Sequence, residues 1–280
     1  MSTAAMLAPN PVRQILHRSR GHSHGLITRL MSPDDLGQIL KPFVFLDLFD
    51  NQGRTFPTFG LHPHSGIATL TYVAEGSVSY EDTNGAAGIL RAGGIEWMRA
   101  GKGAWHSGGV GDQERTRGFQ LWIALPAHVE LGPSESVYLG AADIPRIGPA
   151  RLLLGSYGGA RSAVVAPSAI NYLAVTLGAG ERWQYQPPRG HTVLWLAMGK
   201  GHLDMPKPAR HGDIVIFEPG ETGVEFVARD AAEFVIGSAV PHLHDLVLGY
   251  YSVHTSRQAL QLGEGEIRRI HDELLAKGRL

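Results

Sequence analysis

The stretch from Leu61 to Gly76, LHPHSGIATLTYVAEG, sets His62 and His64 two residues apart, and a third histidine, His106, follows in GKGAWHSGG. The first pair reads as part of a β-strand, and side chains at i and i+2 of a strand point to one face. Both imidazoles therefore reach one point in space. A third imidazole from a neighbouring strand completes a facial set of nitrogen ligands for a divalent metal. The same His-x-His spacing recurs at His22/His24 and His242/His244. Neither pair has an obvious third partner, and both read as surface or structural residues.

Such a site needs strands to carry it, and the chain supplies them. Phe43 to Phe49 reads as a strand buried on at least one face. Thr69 to Ala74 reads as a second, with Ser77 to Glu81 as its hairpin partner across Glu75-Gly76. Asp82-Thr83-Asn84-Gly85 is a turn, because Asn-Gly supplies positive φ cheaply. Gly88 to Arg91, Ile95 to Met98 and Gly118 to Leu125 continue the rhythm, which is that of an antiparallel barrel or sandwich. Ser134 to Arg151, with Pro145 and Pro149, reads as a connector. Strands then return at 171–177, 193–197, 214–217, 224–227 and 233–239.

The two halves repeat each other weakly. Tyr72-Val73-Ala74-Glu75-Gly76 followed by Gly93-Gly94-Ile95 parallels Trp195-Leu196-Ala197-Met198-Gly199 followed by Gly212-Asp213-Ile214. The chain therefore reads as all-β, a duplicated barrel with an N-terminal half at 1–133 and a C-terminal half at 134–280. Residues 1–12 read as a loose terminus. At the other end, Thr255 to Leu275 has apolar residues partly at helical spacing. Ser256 is placed to cap a helix, Gly263 or Gly265 to interrupt it, and the final segment, about 264–277, to pack on a barrel surface.

Composition narrows the function. The 280 residues carry 36 glycines and 17 prolines, dispersed as many short strands and turns require. The formal net charge is −1, with no long basic run, so direct nucleic-acid binding is not expected. There are no cysteines, which removes disulfides, thiolate metal sites and cysteine nucleophiles. The N-terminus has no secretory pattern and no stretch spans a membrane, so a cytoplasmic location is the expectation. No dinucleotide or triphosphate loop and no nucleophile elbow is present.

Three blocks carry a resemblance over most of the chain: PFVFLDLFD with the segment from His62 to Ser107, RGFQLWIALP, and YYSVHTSRQALQLGEGEIRRI. They resemble the pirin family of the cupin superfamily, proteins of two antiparallel, jelly-roll-like barrels. The resemblance implies a metal, usually iron, held in the N-terminal barrel by three histidines and a glutamate. The histidines carry over onto His62, His64 and His106. The glutamate does not, because Gly108 stands at its place. A further family glutamate falls on Ala68, which strand alternation puts on the same face as His62 and His64. Glu81, Glu96 and Gln120 are the remaining residues able to turn inward and substitute.

Without a carboxylate ligand the ion keeps its full +2 charge until water or substrate supplies negative charge. Bound water then becomes more acidic, and an anionic enolate or phenolate is favoured. Fe(II) is the expected metal, with Zn, Ni, Mn and Cu as alternatives. The resemblance implies a quercetin 2,3-dioxygenase-like oxidoreductase acting on a small aromatic or enolic substrate. The alternative is a regulatory pirin-like protein that binds a protein partner or small molecule at a degenerate site. Trp97, Trp105, Phe119 and Trp122 serve either as pocket walls or as core. The second barrel carries Trp183-Gln184-Tyr185-Gln186 near the place of the paired histidines and reads as structural, with His191 and His211 as satisfied polar residues.

Overall fold

A computed structural model describes residues 13–54, 59–113 and 115–280; the terminus at 1–12 lies outside the described residues. The strand rhythm forms two matching halves. In the first, a seven-stranded sheet runs Glu135–Leu139, Ile95–Arg99, Ile67–Glu75, Arg117–Ala124, Phe43–Asp50, Ile27–Met31, His22–His24. A four-stranded sheet runs Phe59–His64, Ala104–Val110, Ser77–Asp82, Ala87–Arg91. The second half repeats this seven-plus-four plan, with Ala232–Ala239 at the centre of its large sheet. The fold is thus the all-β double cupin, built as two jelly-roll sandwiches whose sheets stay open. The chain crosses between the halves. Ile15–Ser19 pairs with Ile214–Phe217 in the second large sheet, and Glu135–Leu139 pairs with Ile95–Arg99 in the first.

Strand alternation decides where the core sits. Leu46, Leu48, Leu70, Trp97, Phe119 and Leu121 face outward from the first large sheet and pack on Tyr172, Trp195, Ile216 and Val235 of the second, forming one core between the halves. Phe43 and Trp195 meet edge to face at 5.2 Å. The opposite face of the first large sheet carries Asp47, Thr71, Glu96, Gln120 and Trp122, which line a cavity. In the second half the equivalent space is packed with Trp183, Tyr185, Phe226 and Phe234.

Three expectations are corrected by the sheet topology. Thr69–Ala74 and Ser77–Glu81 do not form a hairpin. Ile67–Glu75 belongs to the large sheet and Ser77–Asp82 to the small one. Gly76, at φ +77°, turns the corner where a Cβ would lie 1.9 Å from the Arg115 carbonyl oxygen. The connector at 134–151 is partly strand, since Glu135–Leu139 closes the edge of the first sheet. Ala68 does not face the cavity: the chain turns at Gly66, φ +72°, between the histidine strand and Ile67–Glu75, which resets the alternation and buries Ala68 in the inter-half core.

The tail is one continuous helix, Arg257–Ala276, capped by Ser256, whose side chain accepts from the Ala259 N–H at 3.1 Å. Neither glycine interrupts it. At Gly263 a Cβ would stand 2.5 Å from His254 Nε2 and from Ser65 Oγ. Close packing there outweighs the roughly 1 kcal/mol helix penalty of glycine. No described helix is long and apolar enough to cross a membrane.

Candidate metal centre

His62 and His64 lie on Phe59–His64, and His106 lies on the adjacent Ala104–Val110, where it pairs directly with His62. One ring nitrogen from each of the three lies within 4.8 Å of the others. His64 and His106 are buried, at 0% and 2% exposure, and His62 is half-buried.

The hydrogen bonds fix which nitrogens face the centre. His62 Nδ1 lies 2.9 Å from the Gly60 carbonyl oxygen, His64 Nδ1 lies 3.1 Å from the Tyr251 carbonyl oxygen, and His106 Nδ1 lies 2.8 Å from Glu96 Oε1. Carbonyl and carboxylate oxygens only accept, so each Nδ1 carries the proton and donates it. Each Nε2 is left as a lone pair. His64 Nε2 and His106 Nε2 are 3.2 Å apart. Two lone pairs at that separation repel unless a cation stands between them. One ion at about 2.1 Å from each nitrogen subtends an angle of about 100°, between the tetrahedral and octahedral values. The donor set therefore fits a divalent metal.

Burial keeps the His62 and His64 imidazoles neutral. It pushes the His62 pKa down to about 4, with His106 adding to the effect, and drives that of His64 well below the ordinary histidine value, aided by His106 and His62. Neutral imidazole is the metal-binding form.

Glu96 is the acid that turns inward, at 5% exposure. It orients His106 from behind and takes a hydrogen bond from Thr71 Oγ1 at 3.0 Å. Glu81 is bonded instead to Arg279. Gly108 faces the cavity, with the nearest neighbour of its missing Cβ, Ser79 O, at 3.9 Å. The negative charge that Gly108 lacks is thus present one step further out, in a carboxylate–histidine pair of the kind that orients metal ligands and raises their basicity.

The remaining support comes from the C-terminus. Tyr251, at φ +53°, aims its carbonyl at His64, and its ring lies 5.9 Å from those of His62 and His64. This segment is clasped by a buried network. Ser65 Oγ is 2.9 Å from His254 Nε2 and from Ser252 Oγ, and His254 Nδ1 is 3.0 Å from Glu130 Oε2. Neither Gly60 nor Tyr251 is legible from sequence, because both act through backbone carbonyls. Glu96 leaves a signal, an acid within the otherwise apolar Ile95–Met98 run.

Of the four aromatics flagged from sequence, Trp122 alone lines the cavity, 4.8 Å from the His64 ring. Trp97 and Phe119 belong to the inter-half core. Trp105 packs under the C-terminal helix and donates to the Ile267 carbonyl at 3.2 Å. His22 and His24 sit exposed at a sheet edge, and His242 hydrogen-bonds to backbone. His191 bonds to Ser238 Oγ at 2.9 Å and His211 to the Gly199 carbonyl at 2.9 Å.

A Pirin family model matches residues 26–123, the interval that carries all three histidines. A Pseudomonas aeruginosa protein provisionally named a quercetin 2,3-dioxygenase is 31% identical over 257 residues, covering 84% of this chain and 87% of that protein. A pirin-like protein of Solanum lycopersicum is 31% identical over 220 residues, covering 75% of this chain and 74% of the relative. Among solved structures, a quercetin 2,3-dioxygenase from Acinetobacter baumannii superposes with a TM-score of 0.81 at 22% identity, covering 92% of this chain and 98% of that one. The Escherichia coli pirin YhhW in complex with nickel(II) gives 0.61 at 20% identity, covering 82% and 98%. The structures share the fold, and relatives 31% identical align over most of both chains; the chain belongs to the pirin family.

Proposed function

We propose that this pirin is a metal-dependent dioxygenase of flavonol-type enolic substrates, with His62, His64 and His106 holding the metal through Nε2. The observation that carries this reading is the tautomer assignment: three Nδ1–H groups are tied to oxygen acceptors, so three lone pairs converge with no proton among them. The relatives named for quercetin 2,3-dioxygenase support the substrate class, and Fe(II) is the ion this reading proposes. When bound, the metal supplies a Lewis-acidic, redox-active centre for the oxygens of an enol.

The chain's own residues bind and orient. Gly60 O, Tyr251 O and Glu96 hold the rings at fixed angles. Phe45 and Trp122, stacked on each other at 4.0 Å, form an apolar aromatic wall beside His64. The Tyr251 ring lines the same cavity, 5.9 Å from the His62 and His64 rings. Proton removal is the step with no dedicated residue. Gly108 offers no carboxylate, and both oxygens of Glu96 are engaged by His106 and Thr71. The reading therefore requires a substrate acidic enough to ionise near neutral pH at the centre.

Oxygen-electrode measurement with quercetin tests the reading. Metal-loaded protein should consume dioxygen in proportion to flavonol lost, and His106→Ala should abolish it. Flavonol binding without oxygen uptake across Fe(II), Ni(II), Mn(II) and Cu(II) would remove the dioxygenase assignment and favour a non-catalytic binding protein.

A further inference from the structure

The imidazoles occupy one end of a cavity of about 1000 Å³, at the top of the roughly 300–1,000 Å³ range of small-molecule sites. A single aromatic ring at the metal would leave most of it empty. The rest of the cavity has its own chemistry. Glu96, Thr71, Gln120, Asp47 and Arg29 stand directly opposite one another on five successive strands of the large sheet. Residues paired in this way share a face, so they form one polar row across the cavity wall. Strands lie about 4.8 Å apart, which puts Asp47 three spacings, about 14 Å along the sheet, from Glu96. Glu96 marks the metal end because it holds His106. Asp47 and Arg29 mark the other.

A second set of contacts joins the same two ends. Trp122 touches His64, Phe45 stacks on Trp122 with ring planes 8° apart, and the Arg29 guanidinium lies 4.0 Å over Phe45. Phe45 is thus sandwiched between Trp122 and Arg29, and this column of stacked groups links the imidazoles to the Arg29–Asp47 pair. Arg29 donates to both carboxylate oxygens of Asp47, through Nε and, at 3.2 Å, through Nη2. Gln120 lies between Asp47 and Thr71, lines the cavity, and has no hydrogen-bond partner for its side-chain amide among the described residues.

We infer that Asp47, Gln120 and Arg29 form a distal recognition subsite for the neutral hydroxyl groups of an extended polyhydroxylated aromatic, whose enol end lies at the three histidines. The inference rests on the flavonol reading of the centre and adds what reads the remote ring. Charge selects the ligand class. The Arg29 cation is already paired with Asp47, so an incoming carboxylate or sulfate would have to approach the Asp47 carboxylate. A phenolic hydroxyl suits the site better. It can donate to a lone pair of Asp47 left free by Arg29, or to the Gln120 carbonyl, and accept from the Gln120 amide. Phe45 and Trp122 make the wall between the two ends aromatic, which suits an aromatic scaffold.

Calorimetric titration of the full chain loaded with Zn(II), without oxygen, tests this with three flavonols that differ only in carrying no, one or two hydroxyls on the ring remote from the enol. The native protein should bind each more hydroxylated member about fivefold tighter, the scale of one net hydrogen bond. Gln120→Leu and Asp47→Asn should each compress the series to within twofold while retaining native zinc content. Gln120→Leu disturbs no ion pair and so gives an answer even where Asp47→Asn fails to fold. Equal affinity of the native protein for all three flavonols overturns the subsite and leaves the enol site standing, as does an undiminished preference in Gln120→Leu. Binding of none of the three overturns both.

Discussion

Replacing Glu96 by glutamine isolates the charge behind the metal centre. The Glu96 carboxylate accepts from His106 Nδ1 at 2.8 Å and from Thr71 Oγ1 at 3.0 Å. Glutamine keeps an acceptor for His106 and turns its amide toward Thr71, whose hydroxyl can accept instead. Little changes except one negative charge about 6.5 Å from the point where the Nε2 atoms converge. At an effective dielectric near 20 that charge attracts each unit of metal charge by about 2.5 kcal/mol. The retained amide dipole and water in the cavity reduce the difference. The expected loss is therefore tenfold to hundredfold in metal affinity, about 1.4–2.7 kcal/mol, the usual scale for an outer-shell partner. Competition for Zn(II) against a chromophoric chelator at pH 7.5 measures it. Glu96→Ala should lose more, because it leaves the buried His106 N–H without an acceptor. Zinc binding by Glu96→Gln within twofold of native would refute the argument that this carboxylate compensates for Gly108.

Three further outcomes follow from the same geometry. Gly108→Glu should be accommodated, since its Cβ meets nothing closer than 3.9 Å, and should tighten zinc binding at least tenfold in the same competition assay; unchanged affinity would mean that this position does not reach the ion. Metal-stripped protein should lose stability as pH falls from 6.5 to 4. The unfolded His62 imidazole takes up its proton near pH 6.5, whereas the folded one does so only at about 4. By linkage this amounts to at most about 2 kcal/mol at pH 5, reduced by solvent screening at this half-buried ring. Urea midpoints at pH 7 and pH 5 read it, and His62→Gln should narrow the gap. The helix glycines should part company. Gly265→Ala, with nothing within 4 Å of the new methyl, should stabilise by about 0.5–1 kcal/mol, whereas Gly263→Ala should destabilise by about 1–3 kcal/mol despite its better propensity, because the methyl collides with His254 and Ser65. Thermal unfolding of the two variants would contradict this if both moved in the same direction.

How much of this was legible in the chain depends on whether the controlling interaction is local. The strand cores at Phe43–Asp50, Ile95–Arg99 and Ile214–Phe217 are written in runs of β-branched, aromatic and aliphatic residues, and they form where those runs fall. His62 and His64 share a face by period alone, and their meeting with His106 needs only one strand pairing. Where a glycine redirects the chain, alternation cannot be carried through it. The positive φ of Gly66 hides Ala68 in the core, and that of Gly76 sends Ser77–Asp82 to the other sheet. The helix runs through Gly263 because of a contact with residues far away in sequence, which local propensity cannot see. The same holds for Tyr251, which reaches His64 across 187 residues through a main-chain oxygen. Asp47 was visible in principle: an acid within FVFLDLFD must find a partner, and the paired strand supplies Arg29.

The central claim is that three proton-free Nε2 atoms form a metal site without a carboxylate ligand. Elemental analysis of protein purified without a polyhistidine tag, beside a His62→Ala/His106→Ala double variant, tests it most directly. The account predicts close to one divalent metal per native chain, most of it iron under anaerobic preparation, and none in the variant. A native protein that stays metal-free when iron, manganese, nickel and zinc are each offered without oxygen would contradict it, as would equal metal in the variant.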